Sequence, residues 1–199
     1  MNLKPLIFAS TIALAISGCN SSSSGGGASL EVIGVSGNTV NLDGAWARPC
    51  RTDTNSNPVV DILSKHVFSG SSASITESSF SSTDASCSGT ETVLYTIELT
   101  ATAGTTTAIT GWVNGMGGPA TAPQAQDGSG ALGDNESVTV ISATITAAPP
   151  GPDAPPVGAK FDLFYVVDDT VPTAPIMYGD TDYATGATTA DAFDHLALQ

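Results

Sequence analysis

The chain has 199 residues, of which 12% are charged, and its 19 carboxylates face five lysines and arginines for a formal net charge of −14. Such a surface repels nucleic acid and anionic lipid headgroups, so neither is expected as a partner. The acidity is spread along the chain rather than gathered in a tail; it reads as adaptation to a salty medium, with divalent cation binding as the sharper alternative.

The chain opens with "MNLKPLIFASTIALAISGCN", in which Lys4, an apolar run from Leu6 to Ile16 and small residues lead into Cys19. This is the pattern of a secretory signal over residues 1–18, too short to span a bilayer as a permanent helix. Ile16, Ser17, Gly18 and Cys19 resemble the lipobox of bacterial lipoproteins. The resemblance implies that Cys19 becomes the acylated first residue, so that the partner is a membrane reached through lipid chains. With Asn20 rather than Asp in the second mature position, it also implies an outer-membrane lipoprotein of the cell envelope. Residues 19–35 then read as a tether, because "NSSSSGGGAS" has no apolar surface to bury; ten such residues reach roughly 15–20 Å.

Residues 36–199 suit one domain, large enough to bury roughly 70% of its unfolded surface. Hydrophobic residues recur with period two almost throughout: Val93, Tyr95, Ile97, Leu99, Ala101 and Ala103 share one face, and Phe161, Leu163, Tyr165 and Val167 another. That is the signature of half-buried antiparallel strands. It predicts eight, at about 44–51, 62–69, 72–80, 91–104, 106–113, 136–147, 160–168 and 174–179. "TADAFDHLAL" predicts a short C-terminal helical turn capped by Thr189. With Cys19 reserved for lipid, the two cysteines left in an exported chain, Cys50 and Cys87, are expected to form a disulfide.

Eight antiparallel strands in a meander remove their edges by closing into an up-and-down barrel. Sorting the connections places three long ones, "TDTNSNPVVD", "SSTDASCSGT" and "NGMGGPATAPQAQDGSGALGDN", at the end that holds Cys50 and Cys87, and tight ones, "GSS" and "GT", at the other. "LDGAW" resembles the Gly-x-Trp signature that opens the first strand of lipocalins, with Gly44 and Trp46 in the matching places. Together with "HVFSG", "FDLFYVVDD" and "PIMYGD", it is similar to lipocalin-like barrel domains of bacterial lipoproteins, most of which have no assigned activity. The resemblance implies an all-β, lipocalin-like barrel. With strand one starting near Gly44, the sorting of connections puts Trp46 toward the tight end, where its large flat side chain is expected to plug the base. In lipocalins a late-strand arginine covers that tryptophan, whereas this chain has no arginine after Arg51.

Chemical motifs are few. "GSGALG", Gly128 to Gly133, fits the letters of a dinucleotide fingerprint but follows a proline-rich loop and leads into a strand, so it reads as a hairpin loop and no cofactor is expected. "DTDYATG" begins like a calcium loop, and Asp180 and Asp182, with Asp168 or Asp169, make a weak metal candidate lacking the later glutamate. His66 and His195 are the only candidates for a general base near neutral pH, and neither stands in a catalytic pattern, so no enzyme is expected. The leading expectation is a cavity that binds a small apolar or amphipathic ligand, lined by Tyr95, Ile97, Leu99, Phe161, Leu163 and Tyr165. The alternative is a filled barrel that acts through its loops.

Overall fold

The computed structural model describes residues 28–113, 119–151, 154–180, 189–191 and 195–199. An N-terminal hairpin pairs β1 (Glu31–Ile33) with β2 (Thr39–Asn41). Then come β3 (Gly44–Ala47), β4 (Arg51–Asp53), β5 (Val60–Ser69), β6 (Ser72–Phe80), β7 (Glu91–Ala108) and β8 (Gly111–Val113). The chain ends with β9 (Ser137–Ala147), β10 (Lys160–Asp168), β11 (Ile176–Asp180), β12 (Thr189–Asp191) and β13 (His195–Leu198).

A closed antiparallel barrel forms in the order β3-β13-β11-β10-β9-β7-β6-β5, and β5 returns to pair with β3. The all-β barrel of eight strands therefore stands, but one of the eight is not the one expected. The segments 91–104 and 106–113 are not two barrel strands: β7 runs unbroken through "GT" with a bulge at Gly104–Thr105 opposite Val140. Gly104 serves close backbone approach rather than a turn, since a Cβ there would lie 3.1 Å from the Val140 carbonyl oxygen. The predicted C-terminal helical turn is also corrected. Residues 195–198 form β13, which pairs Leu196 with Met177 and Leu198 with Trp46 and so closes the sheet. Abolishing two open edges outweighs a weak helical preference.

These exchanges re-sort the connections. The end that holds the Cys50–Cys87 disulfide, here the mouth, also carries residues 54–59, 81–90 and 148–159. The long 109–136 connection instead lies at the opposite end, the base, with the two-residue turn at Gly70–Ser71 and the N-terminal hairpin. That hairpin belongs to the body rather than to a tether, because Leu30 and Val32 are buried in the barrel core. The body thus includes residues from Leu30 onward, before the Ser36 boundary suggested by composition.

Alternation along β3, β5, β6, β7, β9 and β10 sends Trp46, Phe68, Ile75, Ile97, Leu99, Ile141, Ile145, Phe161, Leu163 and Tyr165 into one interior core. A second apolar cluster sits outside the wall, where Trp112, Ile109, Leu132 and Ala190 cover Val138, Val166 and Tyr178. There the Trp112 indole N–H donates to the Gly133 carbonyl at 2.9 Å, and its ring meets Tyr178 edge-on at 5.6 Å. "GSGALG" folds back in this loop as a small hairpin bridged at Gln124 and Ala131.

Candidate functional site: a polar cavity at the mouth

The base is sealed by apolar packing and by carboxylates. Trp46 is fully buried, donates through its indole N–H to the Leu42 carbonyl at 2.8 Å, and shares the core with Leu30, Val32 and Leu42. The place the lipocalin resemblance gives to an arginine is thus taken by the protein's own N-terminal segment. Asp169 accepts bonds from the Ser36 amide at 2.8 Å and the Asn38 side chain at 3.2 Å. Asp168 accepts from the Gln126 amide at 2.9 Å and the Thr170 hydroxyl at 2.6 Å. Both are buried, and they fasten the hairpin and the long loop to the end of β10.

At the mouth, β3 breaks after Ala47, and β4 continues along β5. Arg48 lies at the break, its amide bonded to the Ser64 carbonyl at 3.0 Å. Its side chain joins Ser64 and His66 of β5, Ile75 and Glu77 of β6, and Tyr95 and Ile97 of β7 around a cavity of about 100 Å³. A register shift after Glu77 pairs Glu77 with Tyr95 but Ser78 with Val93, so Leu94 is the extra residue of a bulge. Val93 and Leu94 are consequently exposed at the rim, 57% and 49%, as are Val59 and Val157 on other mouth segments.

His66 is the most buried polar residue lining the cavity. Its Nδ1 lies 3.0 Å from the Tyr165 hydroxyl on the opposite wall, and Phe68 packs edge-on against the same tyrosine at 6.2 Å. Burial, helped by the Arg48 charge, lowers its pKa to about 3. The imidazole is therefore neutral near neutrality and unsuited as a general base there, while able to give or take one hydrogen bond.

Just outside the cavity, Asp61 is buried beneath loop 81–88. It accepts the Thr52 hydroxyl at 2.7 Å, the Ser82 hydroxyl at 2.6 Å, and the amides of Ala85, Ser86 and Cys87 at 3.1, 3.0 and 3.2 Å. Burial opposes the charge, but the bonds from Ser82, Thr52, Ala85 and Cys87 prevail and hold the carboxyl well below the usual range. Ala85 and Cys87 have φ of 58° and 46°, the left-handed conformation that turns successive amides toward one anion. Cys87 bridges to Cys50 with a Cα–Cα distance of 5.7 Å, tying this loop to the segment that carries Arg48.

Of the six expected lining residues, Tyr95 and Ile97 border the cavity. Leu99, Phe161, Leu163 and Tyr165 are instead closed core, 1–4% exposed. Arg48, Ser64, His66 and Glu77 were not among the candidates, although the parity that turns Trp46 inward does the same for Arg48. Cys19, Asp182 and the side chain of Asp180 lie outside the described residues, among which no three His, Cys, Asp or Glu side chains gather as a metal site. His195 lies in β13 with its ring 6.0 Å from that of Tyr178, away from the cavity. No protein-family model, no curated protein and no solved structure matches the chain.

Proposed function

We propose that the chain is a lipid-anchored protein of the bacterial cell envelope, held at the outer membrane through acylated Cys19, whose barrel binds a small amphipathic ligand at its mouth. The observation that carries the ligand reading is a polar cavity set into one end of an otherwise apolar, filled barrel. About 100 Å³ is less than the roughly 150 Å³ of an apolar cavity that takes benzene, so it suits a head group rather than a whole ligand. Arg48 and Glu77 bring opposite charges to its wall, which favours a head group of zero net charge. Val93, Leu94 and Val157, exposed at the same end, offer apolar surface to a tail. The anchoring half rests on the Ile16–Cys19 lipobox, and the Cys50–Cys87 bridge accords with an oxidising compartment.

The second reading, a non-enzymatic module with a filled barrel working through its loops, is favoured by the complete burial of Ile141, Ile145 and Leu163. Native mass spectrometry of protein purified from its own membranes separates the two. The parent chain is expected to retain a small amphiphile, and Ile75→Phe, which fills the cavity, to lose it with the fold intact. Protein that is ligand-free in both forms contradicts the binding reading. A Cys19→Ser variant that stays in the membrane fraction contradicts the anchor.

A further inference from the structure

The C-terminal half of β7 has one edge that pairs with no strand among the described residues. Strand β6 accompanies β7 only as far as Thr100, where its last pair is Ser72 with Thr100, and the Ser71 carbonyl takes the Ala101 amide at 2.8 Å. From Thr102 to Ala108, β7 pairs on its other side alone, with β9, and all seven residues are exposed. The bulge at Gly104–Thr105 bends the strand a little beyond the point where it parts from β6.

Natural edges are guarded by lysine, proline, inward-facing charge or a bulge. Of these, "TAGTTTA", residues 102–108, carries only the bulge at Gly104–Thr105, and it is rich in threonine, which favours extended pairing. Between Glu98 and Asp127 the chain carries no charge at all. Two copies, each at −14, repel over most of their surfaces, and that repulsion is weakest where neither presents a carboxylate.

We infer that residues 102–108 form an interface between two copies of this chain, pairing antiparallel about a two-fold axis. The same strand satisfies itself in that arrangement, so one edge serves both partners. A seven-residue strand pair buries less than the roughly 1,000 Å² of a stable interface, so the dimer is weak and reversible. Its partner orientation also follows: the two mouths lie away from the shared edge, leaving both cavities open.

Cysteine scanning of the full chain tests this. Single replacements from Ala103→Cys to Thr107→Cys, oxidised with copper phenanthroline, are expected to give covalent dimers that peak at one residue and fall symmetrically on either side. The parent chain and Val93→Cys, exposed at the other end of β7, give the background. The Ile109 amide bonds to the Glu136 carbonyl, so alternation turns the Ala108 amide to the free edge. Adding Ala108→Pro should cut the cross-linked fraction about tenfold, with circular dichroism confirming the fold. Thr105→Lys, which leaves the backbone donors in place, is a second edge block to be read by sedimentation. Cross-linking no greater than background, insensitivity to both edge blocks, or cross-links to a different protein would each overturn the inference.

Discussion

The two ends of the barrel use one device for different purposes. At the base, Asp168 and Asp169 accept amides from the long loop and the N-terminal hairpin, and the space beneath is filled by Trp46, Leu30, Val32 and Leu42. At the mouth, Asp61 accepts three consecutive loop amides in the same way, yet Arg48, Ser64, His66, Glu77 and Tyr95 leave about 100 Å³ unfilled. A buried carboxylate can thus bind a loop in either setting, and what distinguishes the ends is what lies behind it. Apolar side chains give a seal, whereas opposed charges and hydroxyls give a cavity.

The sharpest way to break this contrast is at the base. Trp46→Ala should cost about 3–5 kcal/mol, read from urea unfolding, because the indole has no solvent exposure and holds a buried hydrogen bond. A loss under about 1 kcal/mol would mean that the base is not sealed by this residue. Opening the Cys50–Cys87 bridge by a double alanine replacement should cost about 2–4 kcal/mol, as the 37-residue separation implies. The effect should concentrate in the exchange protection of loop 81–88 and leave the N-terminal hairpin unchanged.

The mouth also titrates. His66 falls from an ordinary value of 6.5 to about 3 on folding, so between those limits the unfolded chain binds more protons and stability rises with pH. Acidification should therefore cost about 1.4 kcal/mol per pH unit below 6.5, or about 2 kcal/mol by pH 5. A His66→Gln variant should flatten that slope in urea titrations at pH 7 and pH 5; an unchanged slope would show that the imidazole is not the group responsible. Asp61 acts lower. Its depressed carboxyl stabilises the fold above the unfolded value near 4, and that contribution is lost as pH falls further toward the folded one. Asp61→Asn should remove this acid-limb dependence, and a variant as acid-sensitive as the parent would count against the loop cage. The smallest effect is expected at the rim, where Leu94→Ser should change stability by no more than about 0.5 kcal/mol while weakening retention of an amphiphile.

Period two in "TVLYTIELTATA" and "KFDLFYVVDD" made the long strands legible, and counting the cysteines other than Cys19 made the disulfide so. The eighth barrel strand was not. "DHLAL" is too short to carry a period of its own, and only the closure of the sheet, through Leu196 on Met177, decides its state. "GT" at 104–105 looked like a turn because glycine serves both turns and bulges, which differ by a neighbour, the Val140 carbonyl, that sequence does not place. The candidate site was half visible. Tyr95 and Ile97 followed from apolar alternation, but that criterion passed over Arg48 and Glu77. Inward charges register as loop or surface residues until the strand register brings them to one cavity.

The central claim, that the interior is sealed at the base and receptive at the mouth, is most directly tested by NMR titration with dodecyldimethylamine N-oxide, whose compact head group has no net charge, below its micelle concentration. The reporters are the His66 and Tyr95 rings at one end and the Trp46 indole N–H at the other. Saturable shifts of His66 and Tyr95 with Trp46 unmoved are predicted. Movement of Trp46 together with core methyls such as Leu163, or no movement at either end, would contradict it.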